Sequence, residues 1–434
     1  MNDTAQAASA DRYTPKFATT LAEGYSLDSF RRDALAGLTV AVVALPLSMA
    51  IAIASGVSPA RGLYAAIAGG FLVSALGGSR YQIGGPAGAF IVLVAATVAK
   101  FGVDGLVLTV FLSGLMLTIL GVFRLGELVR RIPHAVTVGF TAAIAVTILA
   151  SQLKDLFGLR LKAEPGALLP KLVALAHAAP TLSLPTLALG ASVAAMIFAI
   201  RRWRPSWPGM LIAVVAATAA AAVFHLPVET VGARFGALPR GLPLPHLPAV
   251  SFARVIAVLP AALSFTLLGG IESLLSAVVA DGMTGRRHRP NIELIAQGIA
   301  NLGSALIGGI CVTGTIARTA TNVRAGARSP VAGMLHSAFL LGFLLLLGPL
   351  VGFIPITVLA GVLLVVAWNM AEKAELARLL GSWRTGAVLM ATFGLTLLRD
   401  LTTGIAAGCV VALLLAAFDR LRPGRDDPAP VEPA

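Results

Sequence analysis

The feature that most constrains this chain is its succession of apolar segments, parted by short clusters of arginine, glycine and proline. They fall near residues 34–55, 60–77, 86–100, 104–123, 134–152, 181–200, 207–224, 255–281, 292–308, 316–325, 330–351, 356–371, 385–398 and 402–419. Most are long enough to cross a hydrocarbon layer of about 30 Å as an α-helix. The 434 residues are 57% hydrophobic and only 12% charged, whereas a soluble domain carries about 25% charged residues. The expected class is therefore an all-α polytopic membrane protein.

Charge orients it. Of the 33 lysines and arginines, 22 fall at ends that share a side with the N-terminus, among them Arg31-Arg32, Arg124, Arg130-Arg131, Arg201-Arg202, Arg286-Arg287 and Arg378. That asymmetry places both termini in the cytoplasm and the protein in the cell inner membrane. It also explains the net charge of +13 without nucleic acid. Cys311 and Cys409 lie far apart in apolar segments and read as small buried hydrophobes. No metal cluster, phosphate loop or nucleophile elbow stands in the sequence, so neither cofactor nor metal is expected, and the chain is not read as an enzyme.

Two segments are too short to span. In Tyr81-Gln82-Ile83-Gly84-Gly85-Pro86-Ala87-Gly88-Ala89-Phe90 an extended run over Tyr81–Ile83 meets a Gly-Gly-Pro break. A helix then runs to about Lys100, with Pro86 at its first position. At roughly 15 residues it covers about 22 Å. Such a helix starts inside the membrane, where its unpaired N–H groups and positive dipole end attract an anion. Gly308-Gly309-Ile310-Cys311-Val312-Thr313-Gly314-Thr315-Ile316-Ala317-Arg318 repeats the design in the second half. Paired interrupted segments point to a transporter binding site. Seven segments on each side of a proline-rich outer linker force the halves into opposite orientation. The expected organisation is a tail 1–31, a first repeat 32–224, the linker 225–254, an inverted second repeat 255–421 and a tail 422–434. Residues 168–176 suggest an amphipathic surface helix.

Glu272 is the one carboxylate expected near the middle of a full span, with Ser276 one turn on along its face. It is suited to carry a proton, and Ser276 to add an oxygen ligand. Arg318 is the one intramembrane cation; it can hold an anion or pair with Glu272. Asn322 and His336 read as packed polar residues. Gly69-Gly70, Gly77-Gly78, Gly298 and Gly303 read as sites of close helix packing.

At these residues the chain resembles the SulP family of anion transporters. The likeness rests on Gly56-Val57-Ser58-Pro59-Ala60-Arg61-Gly62-Leu63-Tyr64, Gly78-Ser79-Arg80, Gly84–Phe90, Thr313–Thr319 and Gly326-Ala327-Arg328-Ser329-Pro330-Val331-Ala332-Gly333. It covers about residues 30–420. The resemblance implies fourteen segments in two inverted sevens, each half-helix preceded by a short strand. It implies a core of spans one to four and eight to eleven that moves like an elevator against the remaining spans, and a homodimer. Carried over, the anion site comprises Ala87, Gly88, Ala89, Phe90, Gly314, Thr315, Ile316, Ala317 and Arg318, and Glu272 stands where bacterial members place an acidic residue linked to proton or sodium coupling. Three departures matter. Leu47 replaces a polar residue in Pro46-Leu47-Ser48-Met49, Ala317 stands where many members have serine, and the usual cytoplasmic STAS domain is absent after Phe418. The first weakens the case for sulfate and leaves bicarbonate and small carboxylates such as fumarate open. The expected activity is proton-coupled symport of a small anion. An uncoupled exchanger or channel, a sodium-coupled symporter, a nucleobase permease and a membrane scaffold or motor are the rivals.

Overall fold

The computed structural model describes residues 13–126, 133–161, 165, 168–205, 207–399 and 401–421. The expected tail 422–434 lies outside them. Seventeen helices are described: α1 (Lys16–Ala22), α2 (Leu27–Ala54), α3 (Pro59–Leu76), α4 (Ile91–Val122), α5 (His134–Phe157), α6 (Leu168–Ala178), α7 (Leu184–Trp203), α8 (Gly209–Val223), α9 (Val231–Phe235), α10 (Phe252–Thr284), α11 (Pro290–Leu306), α12 (Ile316–Arg324), α13 (Val331–Val351), α14 (Ile356–Met370), α15 (Lys373–Leu380), α16 (Trp383–Leu398) and α17 (Leu401–Leu421). Among the described residues, eight helical stretches are long and apolar enough to cross a membrane. The two strands β1 (Gly84–Gly85) and β2 (Thr313–Gly314) pair antiparallel, Gly84 opposite Gly314 and Gly85 opposite Thr313.

The chain divides into two compact units, Met1–Arg131 with Val146–Asn369, and Ile132–Ala145 with Met370–Ala434. Within the larger unit α8 packs on α2 as well as on its neighbour α7. In the larger unit the closest helix contacts are α4 with α11 and α2 with α13. Glycine permits them: a Cβ on Gly114 would lie 2.8 Å from the Gly298 carbonyl oxygen, and one on Gly37 would lie 2.5 Å from that of Ala332. Where lipid supplies no hydrophobic contrast between helices, such close backbone approach does the work of a core. In the smaller unit α16 and α17 pack through Gly404 and Gly408, each pressed against a threonine of α16, Thr396 and Thr392.

Three local outcomes differ from the sequence reading. The N-terminal segment is not a free tail. Ser26 caps α2 by accepting from Ser29 N at 3.2 Å, five residues before the expected boundary. Ahead of it, Thr14 and Thr19 hold Arg289 at 2.7 and 2.9 Å, and Glu23 pairs with Arg80. That hydrogen bond lowers the Glu23 carboxyl below its usual range. Second, the linker contains α9 and is stitched to the loop before α14: Val231 N donates to Ile354 O and Ile356 N to Glu229 O, both at 2.8 Å. Third, the two expected segments over Ile91–Val122 follow one another with only a kink at Gly102 between them. There φ is 70° and ψ is −175°, a conformation open to glycine and costly for other residues, so the short helix still ends where expected.

Candidate functional site

The strand pair is built from the glycine break itself rather than from Tyr81–Ile83. Gly84 and Gly85 lack the side chains that would prevent backbone from meeting backbone at this depth. A Cβ on Gly84 would lie 2.6 Å from Val73 Cγ2, and one on Gly314 would overlap the Gln82 amide. Thr315 N extends the ladder to Ile83 O at 3.1 Å, and Ile83 N donates to Thr319 Oγ1 at 3.2 Å. Because the strands are antiparallel, the chain leaves the ribbon in opposite directions, and one short helix starts on either side of it.

The first helix does not begin at Pro86. Ala87 is extended (φ −112°, ψ 143°) and Gly88–Phe90 form one 3₁₀ turn that leads into α4. Proline at 86 instead ends the strand, and its carbonyl stays available. No side chain caps this start or that of α12, whose N-cap Thr315 is also extended. The first N–H groups of both helices are the kind that a helix leaves without intrahelical partners. Ala87, Gly88, Ala89 and Phe90 are all buried, and Phe90 packs edge-on against Phe265 of α10 at 5.5 Å. At the other start Gly314 and Thr315 are buried, Ile316 is half-buried and Ala317 is exposed.

Helix α12 therefore has an exposed face and a buried one. Ala317 and Arg324 lie on the exposed side; Arg318, Thr319 and Asn322 lie on the buried side. Arg318 points into the protein and sits on Gly85, where a Cβ would overlap its Nη1. Nη2 donates to Ser48 Oγ at 3.1 Å and to Pro86 O at 3.3 Å, while Nε and Nη1 are buried without a hydrogen-bond partner. The guanidinium is thus held by neutral oxygens of Ser48 and Pro86, beneath both helix starts. Ser48 was not singled out by the sequence reading. Its signal is a hydroxyl two residues after a proline inside an apolar helix, and it donates to Ala44 O at 2.7 Å, leaving its lone pairs for Arg318.

Helix α10 supplies the opposite charge. Glu272 is buried on the face that also carries Gly269, Ser273 and Ser276. Thr313 Oγ1 donates to Gly269 O at 3.2 Å, and Ser276 Oγ donates to Thr319 Oγ1 at 3.1 Å, so this face lies against β2 and α12. Ser276 spends its proton on Thr319 and keeps its lone pairs. Asn322 donates to Tyr81 O at 2.9 Å, and His336 is fully buried with neither ring nitrogen hydrogen-bonded. A fully buried second carboxylate, Glu293, also escaped the sequence reading. It stands in the first turn of α11 and looks, in sequence, like an ordinary acidic helix start.

Residues 30–393 match the model of the sulfate permease family. The chain is 40% identical over 394 residues to the putative sulfate transporter YvdB of Bacillus subtilis (strain 168), covering 90% of this chain and 74% of that one. It is 33% identical over 407 residues to the bicarbonate transporter BicA of Picosynechococcus sp., covering 89% and 70%. Among solved structures, the transmembrane domain of a cyanobacterium bicarbonate transporter BicA superposes with a TM-score of 0.78 at 28% identity, over 90% of this chain and 98% of that one. SLC26A9 superposes with a TM-score of 0.86 at 20% identity, over 96% and 70%, which is a likeness of fold.

Proposed function

Since the chain belongs to the sulfate permease family, and is an anion transporter rather than an enzyme, we propose that it is a secondary active carrier that moves a small anion with a proton. The observation that carries this reading is the antiparallel pairing of two uncapped helix starts inside a membrane protein, with Arg318 held beneath them by neutral oxygens. Two positive dipole ends and a guanidinium make a site for negative charge. The exposed Ala317 supports an aqueous path to it. The candidate substrates are bicarbonate, sulfate and a dicarboxylate such as fumarate. Relatives named for sulfate and for bicarbonate match over the same nine-tenths of the chain.

Coupling falls to Glu272, the buried carboxylate on the helix face that meets β2 and α12. Ionised, it opposes an incoming anion. Protonated, it removes one like charge and favours loading, so anion and proton travel together. Fourteen segments as two inverted sevens, an elevator-like movement of the ribbon and its helices, a homodimer, and an inner-membrane location with cytoplasmic termini complete the proposal.

Uptake of labelled sulfate, bicarbonate and fumarate into proteoliposomes tests it, with and without an inward proton gradient, for wild type and Glu272→Gln. Concentrative uptake driven by the gradient and lost in the variant is the expected result. Uptake driven by sodium instead identifies a sodium symporter. Flux that ignores both gradients and the variant identifies an uncoupled exchanger or channel.

A further inference from the structure

Glu293 is entirely buried, and its hydrogen bonds go to Gly78, Ser79, Gln82 and Gln297 rather than to residues assigned to the anion or the coupled ion. Four donors converge on it. Oε2 accepts from the backbone N–H of Gly78 at 2.8 Å and of Ser79 at 3.0 Å. Oε1 accepts from Gln82 Nε2 at 2.8 Å and from Gln297 Nε2 at 3.1 Å. Every neighbour gives a proton and none asks for one, an arrangement suited to a carboxylate and to no other side chain of this length. An amide here that kept its oxygen on Gly78 and Ser79 would turn its Nε2 toward Gln82 and Gln297, and would find acceptors only if both of those amides reversed, which takes Gln82 Nε2 off Ser273 Oγ.

The partner of consequence is Gln82. Its amide also donates to Ser273 Oγ at 2.8 Å, next in sequence to Glu272 on α10. The same amide lies flat against Gly314 of β2, where a Cβ would overlap it. Gln82 itself stands two residues ahead of β1. One side chain therefore spans α11, the coupling face of α10 and the start of the second short helix, and it is covalently joined to the first. Its position is set by Glu293, because the amide is free to turn until a fixed acceptor chooses its orientation.

We propose that Glu293 is a positioning residue of transport: it locks Gln82 so that the two helix starts and the Ser273–Glu272 segment keep one spacing, and substrate affinity depends on that lock. This rests on the reading that the paired helix starts bind the transported anion. Glu293 touches neither anion nor coupling ion and acts only through Gln82.

The test is a double-mutant cycle in proteoliposomes with Glu293→Gln, Gln82→Ala and the pair. The probe is labelled sulfate, bicarbonate or fumarate, whichever the wild type takes up, with KM and Vmax per folded transporter and the melting temperature measured for each. Each single variant is expected to raise KM about tenfold with Vmax changed less than about twofold. The pair is expected to match Gln82→Ala alone, because both changes cut one link. A fall in melting temperature with KM unchanged would overturn the proposal and leave Glu293 a brace. So would effects that multiply to about a hundredfold, since independent sites add in free energy. Should Glu293→Gln fail to fold, Gln82→Ala decides alone, and an unchanged KM overturns the proposal. Wild type that takes up none of sulfate, bicarbonate and fumarate would remove the functional reading beneath it, a result distinct from wild-type uptake with indifferent variants.

Discussion

The two strand-to-helix turns share a backbone plan and differ in nearly everything else. The first, Gly84–Phe90, is glycine, proline, alanine and phenylalanine, wholly buried and without a charge. The second, Thr313–Arg318, is polar, is exposed at Ala317, and turns its one cation inward across the first. The charge that attracts is thus separated from the exposed surface. Held on Gly85 by Ser48 and Pro86, it sends its field through low-dielectric surroundings to both helix starts. The bare first turn is what lets it come so close.

The largest expected effect follows from removing that charge. Arg318→Ala should cut anion uptake by roughly a hundredfold, about 2.7 kcal/mol, measured as kcat/KM in proteoliposomes. Arg318→Lys should restore only part of it, since the lysine ammonium stops short of the position of Nη2, the nitrogen that meets both Ser48 and Pro86. Equal activity in Arg318→Ala would show that the helix starts suffice and that the second turn contributes no more than the first.

The difference in exposure is tested by thiol labelling in a background without Cys311 and Cys409. Ala317→Cys should react with a small water-borne reagent more than about tenfold faster than Ala89→Cys, because reaction needs an accessible thiolate. Similar rates would erase the contrast. At the ribbon, Gly314→Ala should lower stability by about 1–3 kcal/mol by overpacking against Gln82. Its melting temperature in detergent, compared with that of Gly84→Ala, reports whether the polar or the apolar neighbour yields more readily.

The smallest effect lies away from both turns. Arg234 joins Asp155 at 3.0 Å and Glu229 at 2.5 Å, and the hydrogen bond from Arg234 holds the Glu229 carboxyl below its ordinary range. A lowered folded value means stability that is present above the unfolded value of 4.5 and is lost as pH falls through the folded one. Glu229 is half exposed, so its share is below about 1 kcal/mol. Glu229→Gln should leave the melting temperature nearly unchanged at pH 7 and flatten its decline below about pH 4.5.

What the sequence determined by itself is the class and the plan. Apolar length sets the membrane, charge clusters mark the segment ends, and glycine breaks mark the two short helices. Even the end of the first, expected near Lys100 and found at Gly102, was legible, because only a local conformation is at stake there. What the tertiary structure decided is every feature that joins distant parts of the chain. Gly84 and Gly85 rather than Tyr81–Ile83 form the strand because Thr313 and Gly314, 228 and 230 residues away by number, come to meet them. Arg318 faces inward because the ribbon fixes the rotational phase of a nine-residue helix, and one position earlier, at Ala317, it would have been exposed. Glu293 reads as a solvated helix-start acid until α11 docks on the turn after α3 and closes four donors around it. Local patterns encode what a segment is. Which of its faces is dry, and which polar group must then find a partner, is settled only when the segments pack.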